Sequence, residues 1–188
     1  MKIRLILCLP LLAATALTSG CVTSKTPVGD KVAALKPEIW NAKWLDADGE
    51  IVRSKITNEK LGIVRMTLQP SLLKPRETHE ELVRMLGPLT IANQKTDGGY
   101  QFGRVAIDHN HLVVFNPNDS LFLSLIKHHE IAGKVDRDAH GKPTGSATIQ
   151  GLSYKDCQRL KKEGFDTRSL FDDDPSTVLI RYRWIPFW

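Results

Sequence analysis

Short strand–turn–strand units constrain this chain more than any other feature. Asp46-Ala47-Asp48-Gly49 and Lys95-Thr96-Asp97-Gly98-Gly99 are reversal sequences of the hairpin type. Asp-Gly and Gly-Gly supply the positive φ that tight turns between strands require. Each reversal lies between runs with apolar residues at period two, and connections this short join antiparallel neighbours. A regular strand–helix alternation is missing, which argues against a parallel, dinucleotide-binding α/β sheet.

The same reading gives the remaining elements. Ile39–Leu45, with Trp40 and Trp44 sharing a core face, Ile51–Ile56 and Leu61–Leu68 are expected strands. Pro70 and Pro75 then break the chain before a short helix. That helix would be opened by Thr78-His79-Glu80-Glu81 as a capping box and faced by Leu82, Met85 and Leu86. Leu89–Asn93, Tyr100–Ile107 and His111–Phe115 are strands. A helix from about Asp119 sets Phe122, Leu125, Ile126 and His129 on one face. Lys134–Arg137 pairs with Ser146–Gln150, Ser153 caps a helix to Glu163, and Thr177–Trp184 is the last strand, with Val178, Ile180, Tyr182 and Trp184 on one face. The expected fold class is α+β: an antiparallel sheet, flat or curved, with two or three helices packed on it.

The N-terminus carries an address. Met1-Lys2-Ile3-Arg4 is basic, Leu5–Leu17 is apolar apart from Pro10 and Thr15, and Thr18-Ser19-Gly20 are small residues before Cys21. A charged start, a short apolar run and a small-residue end make a secretory signal, and the run is short for a bilayer span. Thr18-Ser19-Gly20-Cys21 resembles the lipobox of bacterial lipoproteins, with Thr18 where Leu is commoner. The resemblance implies cleavage before Cys21 and acylation of that cysteine, palmitate included. It also implies a permanent hold on a membrane, since each buried CH₂ contributes about 0.8 kcal/mol. Val22, rather than Asp, after the cysteine implies the outer membrane, facing the periplasm, over the inner one.

Three segments are therefore expected. Residues 1–20 are the signal peptide, 21–37 the lipidated cysteine and a flexible tether, and 38–188 a single globular domain. The tether reading rests on Lys25, Pro27, Gly29 and Pro37 in a polar stretch; flexible, its 16 or so residues would span about 20–25 Å. The formal charge of the whole chain is +5. Residues 1–20 contribute Lys2 and Arg4 and no acid, so the remainder carries +3. That is a mixed surface, and no nucleic-acid partner is expected.

Recognisable catalytic chemistry is absent from the sequence. There is no Gly-x-Ser-x-Gly, Gly141-Lys142 is followed by Pro143 where a phosphate loop needs Ser or Thr, and Asp172-Asp173-Asp174 reads as a solvated turn. No enzyme activity and no cofactor are expected. His109, His111, His128 and His129 are the candidate metal ligands, weakened by the absence of a His-Glu-x-x-His motif and by the roughly 100° between neighbours on a helix. Cys157 falls among the apolar positions of its helix and reads as a small buried hydrophobe. Arg181, Arg183, Phe187 and Trp188 belong to an aromatic, basic C-terminus that could present a binding surface. The functional expectation is a membrane-anchored envelope lipoprotein that binds or assembles with another envelope protein or polymer. The alternatives are a metal-dependent hydrolase built on the four histidines and a carrier of a hydrophobic ligand.

Overall fold

Eight strands hydrogen-bond into a closed antiparallel ring in the computed structural model, which describes residues 22–69 and 76–182. In chain order, β1 (Val22–Ser24) and β2 (Lys31–Val32) precede a helical turn, α1 (Pro37–Trp40). Seven strands follow: β3 (Ala42–Leu45), β4 (Ile51–Asn58), β5 (Ile63–Gln69), β6 (Glu77–Leu86), β7 (Leu89–Thr96), β8 (Gly99–Ile107) and β9 (His111–Phe115). Helix α2 (Asp119–Lys127), the hairpin β10 (Gly133–Arg137) and β11 (Pro143–Ile149), helix α3 (Tyr154–Lys162) and a 3-10 turn (Thr167–Leu170) lead to β12 (Thr177–Arg181). The ring runs β8-β7-β6-β5-β4-β3-β12-β9 and returns to β8.

This corrects the expected α+β fold class. Strands hold 48% of the described residues and helices 17%, and the sheet closes on itself as a barrel. The largest single difference is residues 77–86. Read as a capped helix, they form β6, paired with β5 on one side and β7 on the other. Their inward positions include His79, Glu81 and Val83, so polar residues hide the period-two pattern. Closure itself comes from β12, which reaches back to pair with both β3 and β9. A closed ring leaves no unpaired edge among its members.

Two cores result. The barrel interior holds Trp44, Val52, Val64, Met66, Leu68, Val83, Val105, Leu112, Val114 and Leu179. Trp40 joins it from α1, not from a strand as the spacing suggested. The Trp44 indole N–H donates to Ser54 Oγ at 2.7 Å, and that hydroxyl donates to the Trp40 carbonyl, so the buried polar atoms are satisfied. The second core lies outside the β7–β8 wall, under the β10–β11–β1 extension and the two longer helices. Phe102 meets Phe122 edge-on at 5.8 Å and Phe171 at 6.4 Å. Both helices start as the sequence indicates: the Asn118 side chain accepts from the Leu121 N–H, and Ser153 with Asp156 forms a capping box.

The last strand is turned over relative to expectation. Leu179 faces the interior at 2% exposure, whereas Val178 and Ile180 face outward at 42% and 56%. Pairing with β9 and β3 sets this register, which apolar alternation on both faces left open.

Residues 22–36 are also not a flexible tether. β1 pairs in parallel with β11 and antiparallel with β8, and β2 pairs with β6. Val22, Val28, Ala33 and Leu35 are all buried. Four apolar residues spread among breakers look like a linker in sequence, yet Val22 and Val28 enter the second core and Ala33 and Leu35 the barrel core. Gly99 makes room for this docking: a Cβ there would collide with the Ser24 carbonyl oxygen, and its φ of +141° suits glycine. No helix among the described residues is long and apolar enough to cross a membrane.

Candidate functional site

The outer wall of β3, β4 and β5 is basic because of strand alternation. Val52, Ser54 and Ile56 turn into the barrel, so Arg53 and Lys55 between them turn out. The Asp46–Gly49 reversal sets the register that places Lys43 opposite Arg53, and β4–β5 pairing places Lys55 opposite Arg65. These four cations, with Asn41, Thr67, Arg181 and Tyr182, line an open groove of about 540 Å³. Like charges directly opposite on neighbouring strands each cost about 0.2–1 kcal/mol. Here two such pairs stand side by side. Among the described residues, only Arg65 of the four has a carboxylate partner, Glu80 at 3.0 Å. Lys43, Arg53 and Lys55 therefore leave the wall with an excess of positive charge, which suits an anionic ligand. Charge outside and apolar side chains inside is the reverse of the polarity of a membrane-spanning barrel.

A second polar feature lies inside the ring. His79 and Glu81, two residues apart on β6, both point inward into a chamber of about 40 Å³ walled by Trp40, Met66, Ala92, Val105, Leu112, Val114, Thr177 and Leu179. His79 Nε2 is 3.1 Å from Glu81 Oε1. The approach is off-line, and neither carboxylate oxygen has an aligned donor. Burial pushes the Glu81 carboxyl above its ordinary range, and the imidazole pulls the other way. The chamber has room for one or two waters, against the several hundred Å³ of a typical ligand pocket.

Of the expected site residues, Arg181 lies at the rim of the basic groove, with its guanidinium 5.8 Å from the Trp44 ring and Nη1 donating to the His109 carbonyl at 3.2 Å. Arg183, Phe187, Trp188 and Cys21 lie outside the described residues. His109 and His111 sit in and beside the β8–β9 turn, where Asp108 Oδ1 accepts from the backbone N–H groups of Asn110 and His111. His128 caps the end of α2, with Nδ1 2.9 Å from the Ser124 carbonyl, and His129 follows with φ +60°. Among the described residues, no three His, Cys, Asp or Glu side chains converge to hold a metal, so the four histidines do not form a ligand set. Cys157 is buried at 1% exposure in α3.

Sequence reasoning missed Lys43, Arg53, Lys55 and Arg65. Their signal was present: the Asp46–Gly49 turn already implies that Lys43 faces Arg53. It also missed His79 and Glu81, because the capping-box reading absorbed both. Compared with protein-family models, with curated proteins and with solved structures, the chain matches none of them.

Proposed function

We propose that this protein is a lipid-anchored component of the bacterial cell envelope, held through Cys21, whose barrel binds an anionic envelope component in the β3–β4–β5 groove. The anchor rests on the lipobox-like Thr18-Ser19-Gly20-Cys21 after a charged and apolar leader. The binding role rests on one observation above all: Lys43 faces Arg53 and Lys55 faces Arg65, with three of these four cations lacking an ion pair among the described residues. Carboxylates opposite these cations would have stabilised the wall, whereas like charges across the register destabilise it. A carrier role for the barrel interior is disfavoured by a chamber of only about 40 Å³.

Two measurements test the reading. Mass spectrometry of the membrane-extracted protein should find Cys21 acylated, and Cys21→Ser should leave the membrane fraction or accumulate with its leader uncleaved. In-cell crosslinking should capture a partner that the triple charge reversal K43E/R53E/K55E loses. An unmodified Cys21 would remove the anchor, and undiminished capture by the triple variant would remove the groove.

A further inference from the structure

The anchoring end and the basic wall lie on opposite sides of the barrel. β1 joins the ring at β8, where Thr23 and Ser24 pair with Gln101 and Tyr100. Further along β8, Arg104–Ile107 pair with β9 instead, so the extension leaves the ring at the β8–β9 junction. Three strands on from that junction, the ring reaches β5 in one direction and β4 in the other. These are the strands that carry Arg65, Arg53 and Lys55.

There is no leash to cancel this geometry. Val22 is 2% exposed, is paired with Ala147, and donates its N–H to the Asp119 carboxylate at the start of α2. Cys21 is one Cα–Cα step from it, about 3.8 Å. An eight-stranded ring is about 15 Å across from strand spacing and tilt. Pivoting about Cys21 can lower the flanks of the barrel to a bilayer, but it cannot bring down the far wall.

We propose, resting on the reading that Cys21 is acylated, that the basic groove is a docking surface for the cell-wall glycan with its carboxylate-bearing peptides, and that it faces away from the bilayer that holds the protein. The charge layout fits a polymer. Arg53 and Lys55 are two residues apart on β4, about 7 Å, and each has a second cation across the register about 5 Å away. Such a grid meets successive carboxylates along a chain. A lipid headgroup of the anchoring leaflet offers the same charge from the wrong side.

The test uses the full chain as the cell exports it, reconstituted in neutral phosphatidylcholine vesicles and sedimented with purified cell-wall sacculi. Vesicles should co-sediment with sacculi at low salt, and at least tenfold less at about 0.5 M salt, where the Debye length falls to about 4 Å. K43E/R53E/K55E should give a similar loss with an unchanged far-UV spectrum. Adding 30% phosphatidylglycerol to the vesicles should leave sacculus binding unchanged. A variant with twelve Gly/Ser residues inserted between Cys21 and Val22 reaches about 19 Å, and only it should be inhibited by the anionic lipid. Inhibition of the unmodified protein by anionic lipid, or wild-type sacculus binding by the triple reversal, overturns the inference while leaving the anchor intact. Absence of an acyl group on Cys21 in the same preparation overturns the anchored reading itself, and the orientation with it.

Discussion

Asn93 grips the backbone of Val28 at both its N–H and its carbonyl. Its Oδ1 accepts the Val28 N–H at 2.7 Å, and its Nδ2 donates to the Val28 carbonyl at 3.1 Å. The same Nδ2 donates to the Leu82 carbonyl at 3.0 Å on the neighbouring strand β6. At 1% exposure, the side chain acts as a short piece of backbone that pins residues 22–35 to the barrel wall. Removing it leaves buried donors and acceptors unpaired, each costing about 1–3 kcal/mol. Asn93→Ala should therefore lower stability by about 2–4 kcal/mol in urea titrations and strip hydrogen-exchange protection from the Val28 amide before the barrel strands. A Val28 amide as protected in the variant as in wild type would sink the account.

Much of the hairpin pattern was legible in sequence, and the failures share a cause. The turns at Asp46–Gly49 and around Gly98, the His111–Phe115 strand and the Ser153 cap are local chemistry, and local chemistry survives in a tertiary context. Residues 77–86 and Val178–Ile180 are different. In the first, the polar side chains of His79 and Glu81 occupy inward positions; in the second, Val178, Leu179 and Ile180 are all apolar. In both cases the face is decided by partners far away in sequence, β5 and β7 or β9 and β3. Barrel closure is likewise a pairing between residues about sixty positions apart, Thr177 with Val114, which periodicity does not encode. The basic groove was half visible, since one hairpin register predicts Lys43 against Arg53, but Arg65 needed the β4–β5 pairing.

Glu81 should make the protein more stable in mild acid. Its pKa in the folded state is raised above the ordinary value of 4.5, chiefly by burial. The folded state thus holds a proton that the unfolded chain gives up. The stabilisation is full below about pH 4.5 and is lost as pH rises through the raised value. His79 is the other titratable group lining the chamber. Glu81→Leu should flatten the dependence and raise the unfolding free energy at pH 7.5 by about 1–3 kcal/mol, because an unsatisfied buried polar group is removed. Thermal melts between pH 5 and pH 8 read both effects. A variant less stable than wild type at pH 7.5 would show that the carboxyl has a partner the chamber does not reveal.

Asp119 reports on how the start of β1 is held. Its carboxyl is pushed up to about 6, first by burial, opposed by the hydrogen bond it accepts from the Val22 N–H, and raised further by Asp172. The sign is the same as for Glu81: the protonated form favours folding below about 3.8, and that contribution disappears as pH climbs through about 6. Asp119→Asn keeps an oxygen that can accept from Val22 and removes the charge. It should match wild type at pH 4.5 and exceed it modestly at pH 7.5, while the Val22 amide stays protected. Asp119→Ala should instead expose that amide to exchange at every pH. Equal Val22 protection in all three proteins would show that β1 is held by its strand pairing alone.

Cys157 should behave as packing, not as a reactive thiol. Burial first, then Asp156 and Asp30, push its pKa up to about 12. At pH 8 only about one molecule in ten thousand would then carry the thiolate that attacks disulfides and reagents. It lies at 1% exposure on the face of α3 that it shares with Leu160 and that packs into the second core. A thiol-specific reagent should therefore label the native protein at the rate of global unfolding, and label it at once in denaturant. Cys157→Ala should cost about 1–2 kcal/mol for the lost sulfur contacts, and Cys157→Ser about the same or more, since its hydroxyl enters an apolar site. Fast labelling under native conditions would mean that α3 opens locally, and the second core would then be the weaker of the two.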